Sequence, residues 1–386
     1  MNGQGSVQRG SKSLPGLTGV RGVAAMAVFL CHFQPIALRF SGIDAKHGLR
    51  IIENGFRGVD LFFILSGFIL FHVHSPEVYV FGRIRAMQFY TLRFFRVYPL
   101  NTFVLMVLLS LTLLLPQFVA WHRAAHLSQG AYHLQDFSFR AFVQSLLLVQ
   151  TWTGNKVGTW NEPAWTLSAE VLGYILFPIL APLICRRTSA IETVVAAVAG
   201  LTAFVVLMIM CGHATNNPSG TFGLVRMFFC FAAGMCLCRA YQLVSLPRAA
   251  VSYLTLASAV MTVLCLSLRG AGVFSVFGFA GLIFGLACQS GPISYLMTAR
   301  PVMFLGRISF SFYIIHIIPL DLFSWLLADS LIDIPPYVTI AALGMLVAVT
   351  VLSASLTYRF VETPFQRLGR RLAAHPVAVR RVGEAV

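Results

Sequence analysis

Apolar runs long enough to cross a membrane follow one another along this chain, separated by short polar stretches. A helix needs ~20 apolar residues to span the hydrocarbon core, and windows of that length place ten spans. They fall at about 17–38, 58–74, 98–119, 164–184, 191–211, 222–241, 249–268, 271–289, 302–325 and 337–358. The apolar stretch 139–150 is too short to cross and is expected as a re-entrant or interfacial helix on the outer side. Backbone polar groups in lipid must be satisfied within the segment, so spans of this kind are helical. The expected fold is an all-α polytopic membrane protein with about ten transmembrane helices.

Loop charge sets its orientation. With the N-terminus inside, the inner segments hold most of the 28 Lys and Arg, including Arg83, Arg85, Arg186, Arg187, Arg370 and Arg371. That bias puts both termini in the cytoplasm, and in a bacterium the host membrane is the inner one. Three regions are expected: a cytoplasmic tail over 1–16, a transmembrane domain over 17–358, and a basic cytoplasmic tail over 359–386. No soluble domain is expected at either end. The first apolar run is too long for a signal core and contains Arg21, so it reads as an uncleaved span.

Composition narrows the function classes. Hydrophobic residues make up 58% of 386 positions and charged ones 11%, with mean hydropathy +0.79. A net charge of +15 in one polar domain would suggest nucleic acid. Here the cations lie between apolar spans, so no nucleic-acid partner is expected. The eight cysteines sit mostly in or beside apolar segments, where free Cys behaves as a small hydrophobe. No metal-ligand spacing stands out, and no metal is expected.

Polar groups inside the spans carry the candidate chemistry. Arg21 and His32 share the first span, eleven residues apart. At ~100° and ~1.5 Å per residue they lie on one helix face, on the order of 16 Å apart. An ionisable residue within a span costs at least ~2.5–3.5 kcal/mol on insertion scales, so it faces protein or a wet cavity. His32 is the best general base in the chain. Asp60 opens the second span, either as a solvated span-end carboxylate or as part of a site.

Arg93 and Arg96 share a face in Arg93-Phe94-Phe95-Arg96-Val97-Tyr98-Pro99, placed in the cytoplasmic approach to the third span. They read either as an anchor on membrane lipid phosphates or as a clamp for a donor's phosphates, which guanidinium forks bind bidentately. Trp160 and Trp165 suit an interfacial belt, and Ser168 or Glu162 could cap the fourth helix. Glu170, inside that run, needs a partner. Ser309, Tyr313 and His316 make one polar stripe on the ninth span, read either as satisfied packing or as part of a site.

These pieces resemble the acyltransferase-3 membrane family, which includes bacterial polysaccharide O-acetylases. The matching segments are Gly19-Val20-Arg21-Gly22-Val23-Ala24-Ala25 ending at His32, and Gly58 to Phe68. They continue with Arg93 to Pro99, Trp165 to Glu170, Leu305 to Tyr313 with His316 after, and Glu362-Thr363-Pro364. The order matters more than any single piece. One departure is Thr18, where many members carry Asp.

The resemblance implies transfer of an acyl group, usually acetyl, from cytoplasmic acetyl-CoA to a hydroxyl of an extracytoplasmic or lipid-linked glycan. On that reading His32, Arg21 and Glu170 are catalytic, and Arg93, Arg96 and Tyr98 hold the acyl donor. Asp60, Trp165, Ser309, Tyr313 and His316 contact the acceptor. A glycan assembly or export machinery is an expected partner. The alternative is a proton-coupled transporter of a sugar or lipid-linked glycan, with His32, Glu170 and His316 as the relay.

Overall fold

The computed structural model describes residues 13–43, 48–74, 83–118, 120, 137–153, 160–327 and 335–374. The tail up to residue 12 and the last twelve residues of the C-terminal tail lie outside the described residues. Among the described residues every regular element is helical. Eight helices are long and apolar enough to cross a membrane, and nine if one bent pair counts as a single span. The chain is an integral membrane protein.

In chain order the helices are α1 (Pro15–Ser41), α2 (Arg50–Glu53), α3 (Gly58–His74), α4 (Arg83–Leu114) and α5 (Phe139–Leu147). Next come α6 (Trp165–Cys185), α7 (Ala190–Met210), α8 (Thr221–Leu243), α9 (Arg248–Ser267) and α10 (Ser275–Ala287). The last five are α11 (Pro292–Met297), α12 (Arg300–Ile315), α13 (Ile317–Leu326), α14 (Pro336–Thr357) and α15 (Thr363–Ala374). α1 runs along α12, α3 along α8, α7 along α8, and α9 along α10.

Near the site α1 packs tightly on α12. A Cβ on Gly22 would fall 2.5 Å from the Gly306 amide nitrogen, and one on Gly306 would fall 2.1 Å from the Thr18 carbonyl oxygen. Only small residues let two helix backbones come this near. This crossing brings the ring of His32 on α1 to the end of α12.

Four sequence expectations change. The third helix starts much earlier than residue 98: α4 runs unbroken from Arg83, so Arg93 and Arg96 share one helix with the expected span. Their guanidinium groups lie over rings, Arg93 over Phe89 at 5.6 Å and Arg96 over Phe310 at 5.7 Å. Windowed hydropathy counts the charges and misses that pairing.

The eighth expected span, 271–289, folds as a short 3-10 turn followed by the thirteen-residue α10. The ninth is broken, with α12 and α13 meeting at 54° on either side of His316. Pro319 has no N–H to give the Ile315 carbonyl, so the helical ladder is interrupted there. Finally, the described part of the expected tail over 359–386 is helical up to Ala374. A π-helical turn, Tyr358–Glu362, leads into α15, which packs on α4. The segment 139–150 contains the nine-residue α5, capped by Ser138 and about half the length of a span.

Candidate active site

Two groups of polar side chains meet inside the bundle. The first lines a cavity of about 810 Å³, its open mouth included, bounded by α1, α3, α4, α6 and α12. Arg21, Arg93 and Arg96 line it with Glu170, Ser66, Ser309 and Tyr313. The α3 residues on its wall run from Val59 to Leu70, which is on the order of 16 Å along the helix axis. Phe62, Phe63, Leu65 and Phe310 supply apolar walls between the polar ends.

Two carboxylates offset part of the charge of the three guanidinium groups. Ser66 Oγ donates to Glu170 Oε1 at 2.7 Å. Glu362, buried in the π-helical turn, accepts from Ser311 Oγ at 2.6 Å and from Gln366 Nε2 at 2.9 Å, and lies within electrostatic reach of Arg21 and Arg96. A cavity with surplus positive charge and apolar walls suits an anionic group on an apolar arm.

The second group sits one turn past the cavity's Tyr313. His32 Nδ1 lies 3.1 Å from His316 Nε2, with the rings stacked at 5.2 Å between centroids. His316 Nδ1 donates to the Tyr313 carbonyl at 2.7 Å. On the other side, Glu162 Oε2 stands 3.6 Å from His32 Nε2. His316 is fully buried, whereas the side chains of His32 and Glu162 remain 14% and 17% exposed, so they stay within reach of a small polar group.

Glu162 is placed by its own loop. Asn161 Nδ2 donates to the Ile314 carbonyl at 3.0 Å, just before the break in the ninth span. Gln150 Nε2 donates to the Ala164 carbonyl at 2.9 Å. Pro163 stands in the 3-10 turn Glu162–Ala164 that leads into α6.

The structure divides the sequence candidates. Arg21, Arg93, Arg96, Glu170, Ser309 and Tyr313 share the cavity, and His32 and His316 form a pair beyond it. Glu170 therefore stands with the arginines, not beside His32 as a partner for the base. Tyr98 hydrogen-bonds the Leu147 carbonyl at 3.3 Å and stacks on Phe94, off the cavity wall. Trp165 lies under the Arg226 guanidinium at 5.3 Å.

Asp60 is fully buried and binds Arg226 on α8 through contacts of 2.9 and 3.0 Å. Arg57 Nη1 stands 3.6 Å from its other oxygen. It is no longer a span-end carboxylate but the centre of a buried charge cluster. Sequence reasoning missed Glu162, Arg226 and Glu362 as members of polar clusters. Among the described residues no group of three or more His, Cys, Asp or Glu is placed to hold a metal ion.

A charged cavity thus leads toward a histidine pair within a bundle of apolar helices. The chain belongs to the acyltransferase domain family, whose profile matches residues 14–358. Among curated proteins it is 28% identical to acyltransferase MdmB of Streptomyces mycarofaciens, over 95% of this chain and 94% of that one. It is 23% identical to O-acetyltransferase OatA of Staphylococcus aureus, over 92% of this chain but 58% of the relative's length. No solved structure matches. The protein is an acyltransferase.

Proposed function

We propose that this enzyme moves an acetyl group from cytoplasmic acetyl-CoA to a hydroxyl of an extracytoplasmic or lipid-linked glycan, with His32 as general base. The observation that carries this reading is the cavity holding Arg21, Arg93 and Arg96, which ends one helical turn from the His32–His316 pair. Phosphates of the donor dock on Arg93 and Arg96, and its apolar arm follows the α3 wall toward Tyr313. His32 Nε2 takes the proton of the acceptor hydroxyl as the oxygen attacks the thioester carbon. The C–S bond breaks, and the departing thiolate recovers that proton. The similarity to O-acetyltransferase OatA supports acetyl as the group and oxygen as its destination.

Isolated membranes given acetyl-labelled acetyl-CoA should transfer label to a saccharide fraction. Flux of a sugar across the membrane with no label transferred would favour the transporter instead. Arg96→Ala should raise the KM for acetyl-CoA by roughly tenfold to a hundredfold, the worth of about 1.5–3 kcal/mol for a hydrogen bond to a charged group. A donor analogue lacking phosphates should lose much less. Equal losses with both donors would make Arg96 a structural cation, paired with Glu362 and Phe310.

The proposed arrangement has both termini in the cytoplasm of a bacterial inner membrane, with the acceptor approaching from the opposite side. Glycan assembly or export machinery would then supply the acceptor. A reporter fused after Val386 that is active only outside the cytoplasm would reverse this orientation.

A further inference from the structure

The neighbours of His32 determine which of its nitrogens carries the proton. A carbonyl oxygen only accepts, so the 2.7 Å contact with Tyr313 puts a proton on His316 Nδ1. His316 has no exposed surface, and its ring packs against Phe29 and Phe312. Charging it there would be costly, so it is neutral and its lone pair is at Nε2. That atom stands 3.1 Å from His32 Nδ1, which is therefore the donor. The lone pair of neutral His32 is then at Nε2, the nitrogen that faces Glu162.

We propose that His316 is a positioning residue: it accepts from His32 Nδ1–H and holds His32 in the tautomer whose Nε2 takes the acceptor's proton. This rests on His32 being the base, and it moves His316 from the acceptor contact expected from sequence to a place behind the reacting atoms. The break in the ninth span makes the arrangement possible, because it ends α12 at Ile315 and sets the imidazole at the bend. When His32 gains the proton, both its N–H groups face acceptors, His316 Nε2 on one side and the Glu162 carboxylate on the other. Charge thus develops where acceptors already stand.

Two substitutions separate this role from packing. His316→Phe keeps the ring volume and stacking but offers no acceptor. It should lower kcat by ~10²–10⁴-fold, the range for a mispositioned or wrongly tautomerised base, with both KM values and the thermal midpoint near wild type. His316→Gln presents an amide oxygen close to the place of Nε2 and should restore kcat to within roughly tenfold of wild type. If His316→Phe does not accumulate, His316→Leu is read the same way.

Normal kcat in His316→Phe would overturn the proposal. So would His316→Gln being as inactive as His316→Phe while both are folded. A rise in acceptor KM alone would return His316 to the acceptor. An active His32→Gln enzyme would instead overturn the reading of His32 as base, whatever the His316 variants do.

Discussion

His32→Gln is expected to stop acyl transfer while leaving the protein folded in the membrane. Gln keeps most of the volume and can still donate to His316, but its amide cannot accept a proton at pH 7. A positioned general base is worth ~10²–10⁴-fold, and the measured loss should fall in or beyond that range. Binding of acetyl-CoA should survive, because the arginine cavity does not include His32. The check is initial-rate kinetics on purified enzyme in lipid, with donor binding measured separately. Near-normal turnover would make His32 a packing residue and turn attention to Glu162, the carboxylate nearest to it.

A second experiment, on the wild-type enzyme, distinguishes a base from an acyl carrier. Were the acetyl group to pass through the imidazole, acetyl-CoA alone would leave a labelled adduct on His32 before acceptor is added. Direct base catalysis leaves none. The side chains of His32 and Glu162 are both partly exposed, which favours an acceptor hydroxyl reaching Nε2 itself. Glu162 then stands where it can hold a neighbouring hydroxyl or the protonated imidazole.

Much of this site was legible in the sequence because membrane insertion makes polar residues conspicuous. Arg21 and His32 stand out in an otherwise apolar run, and their eleven-residue spacing alone puts them on one face. The pair Arg93 and Arg96 was visible too, though the length of the helix that carries it was not. Hydropathy averages cannot register that a guanidinium over a ring is a buried unit, so the helix was started fifteen residues late. Glu162 escaped for the opposite reason. A carboxylate before a proline at a helix start has a ready local explanation as a cap. Its tertiary partner lies 130 positions away on α1, and ties such as that of Asn161 to α12 bring it there.

Arg226 carried a signal that went unread. It sits within the run 222–241, and the insertion cost that singled out Arg21 applies to it equally. An arginine there asks for a carboxylate, and Asp60 is the one that answers. Pairing them across 166 positions depends on α3 packing along α8, which no local pattern encodes. Had that demand been followed, Asp60 would have been expected in a structural cluster rather than at the acceptor.

Asp60→Asn should accordingly cost stability before it costs chemistry. Among the described residues the carboxylate is the only anion joining Arg57 and Arg226, and all three side chains have zero exposure. Arg226 also donates to Asn217 Oδ1 at 2.7 Å and to the Pro218 carbonyl at 3.0 Å, so its position is fixed from several sides. Neutralising Asp60 leaves two buried cations facing each other, and breaking a buried pair in this way typically costs about 3–5 kcal/mol. The expected result is a lower thermal midpoint and less folded protein in the membrane. Replacing the partner as well, in Asp60→Asn with Arg226→Met, removes one stranded charge and should recover part of the loss. A double-mutant cycle on the thermal midpoint measures that coupling. The competing outcome is equally concrete. If Asp60→Asn is as stable as wild type and only raises the KM for the acceptor, Asp60 touches substrate, and the α3–α8 cluster is not what holds this face of the cavity in place.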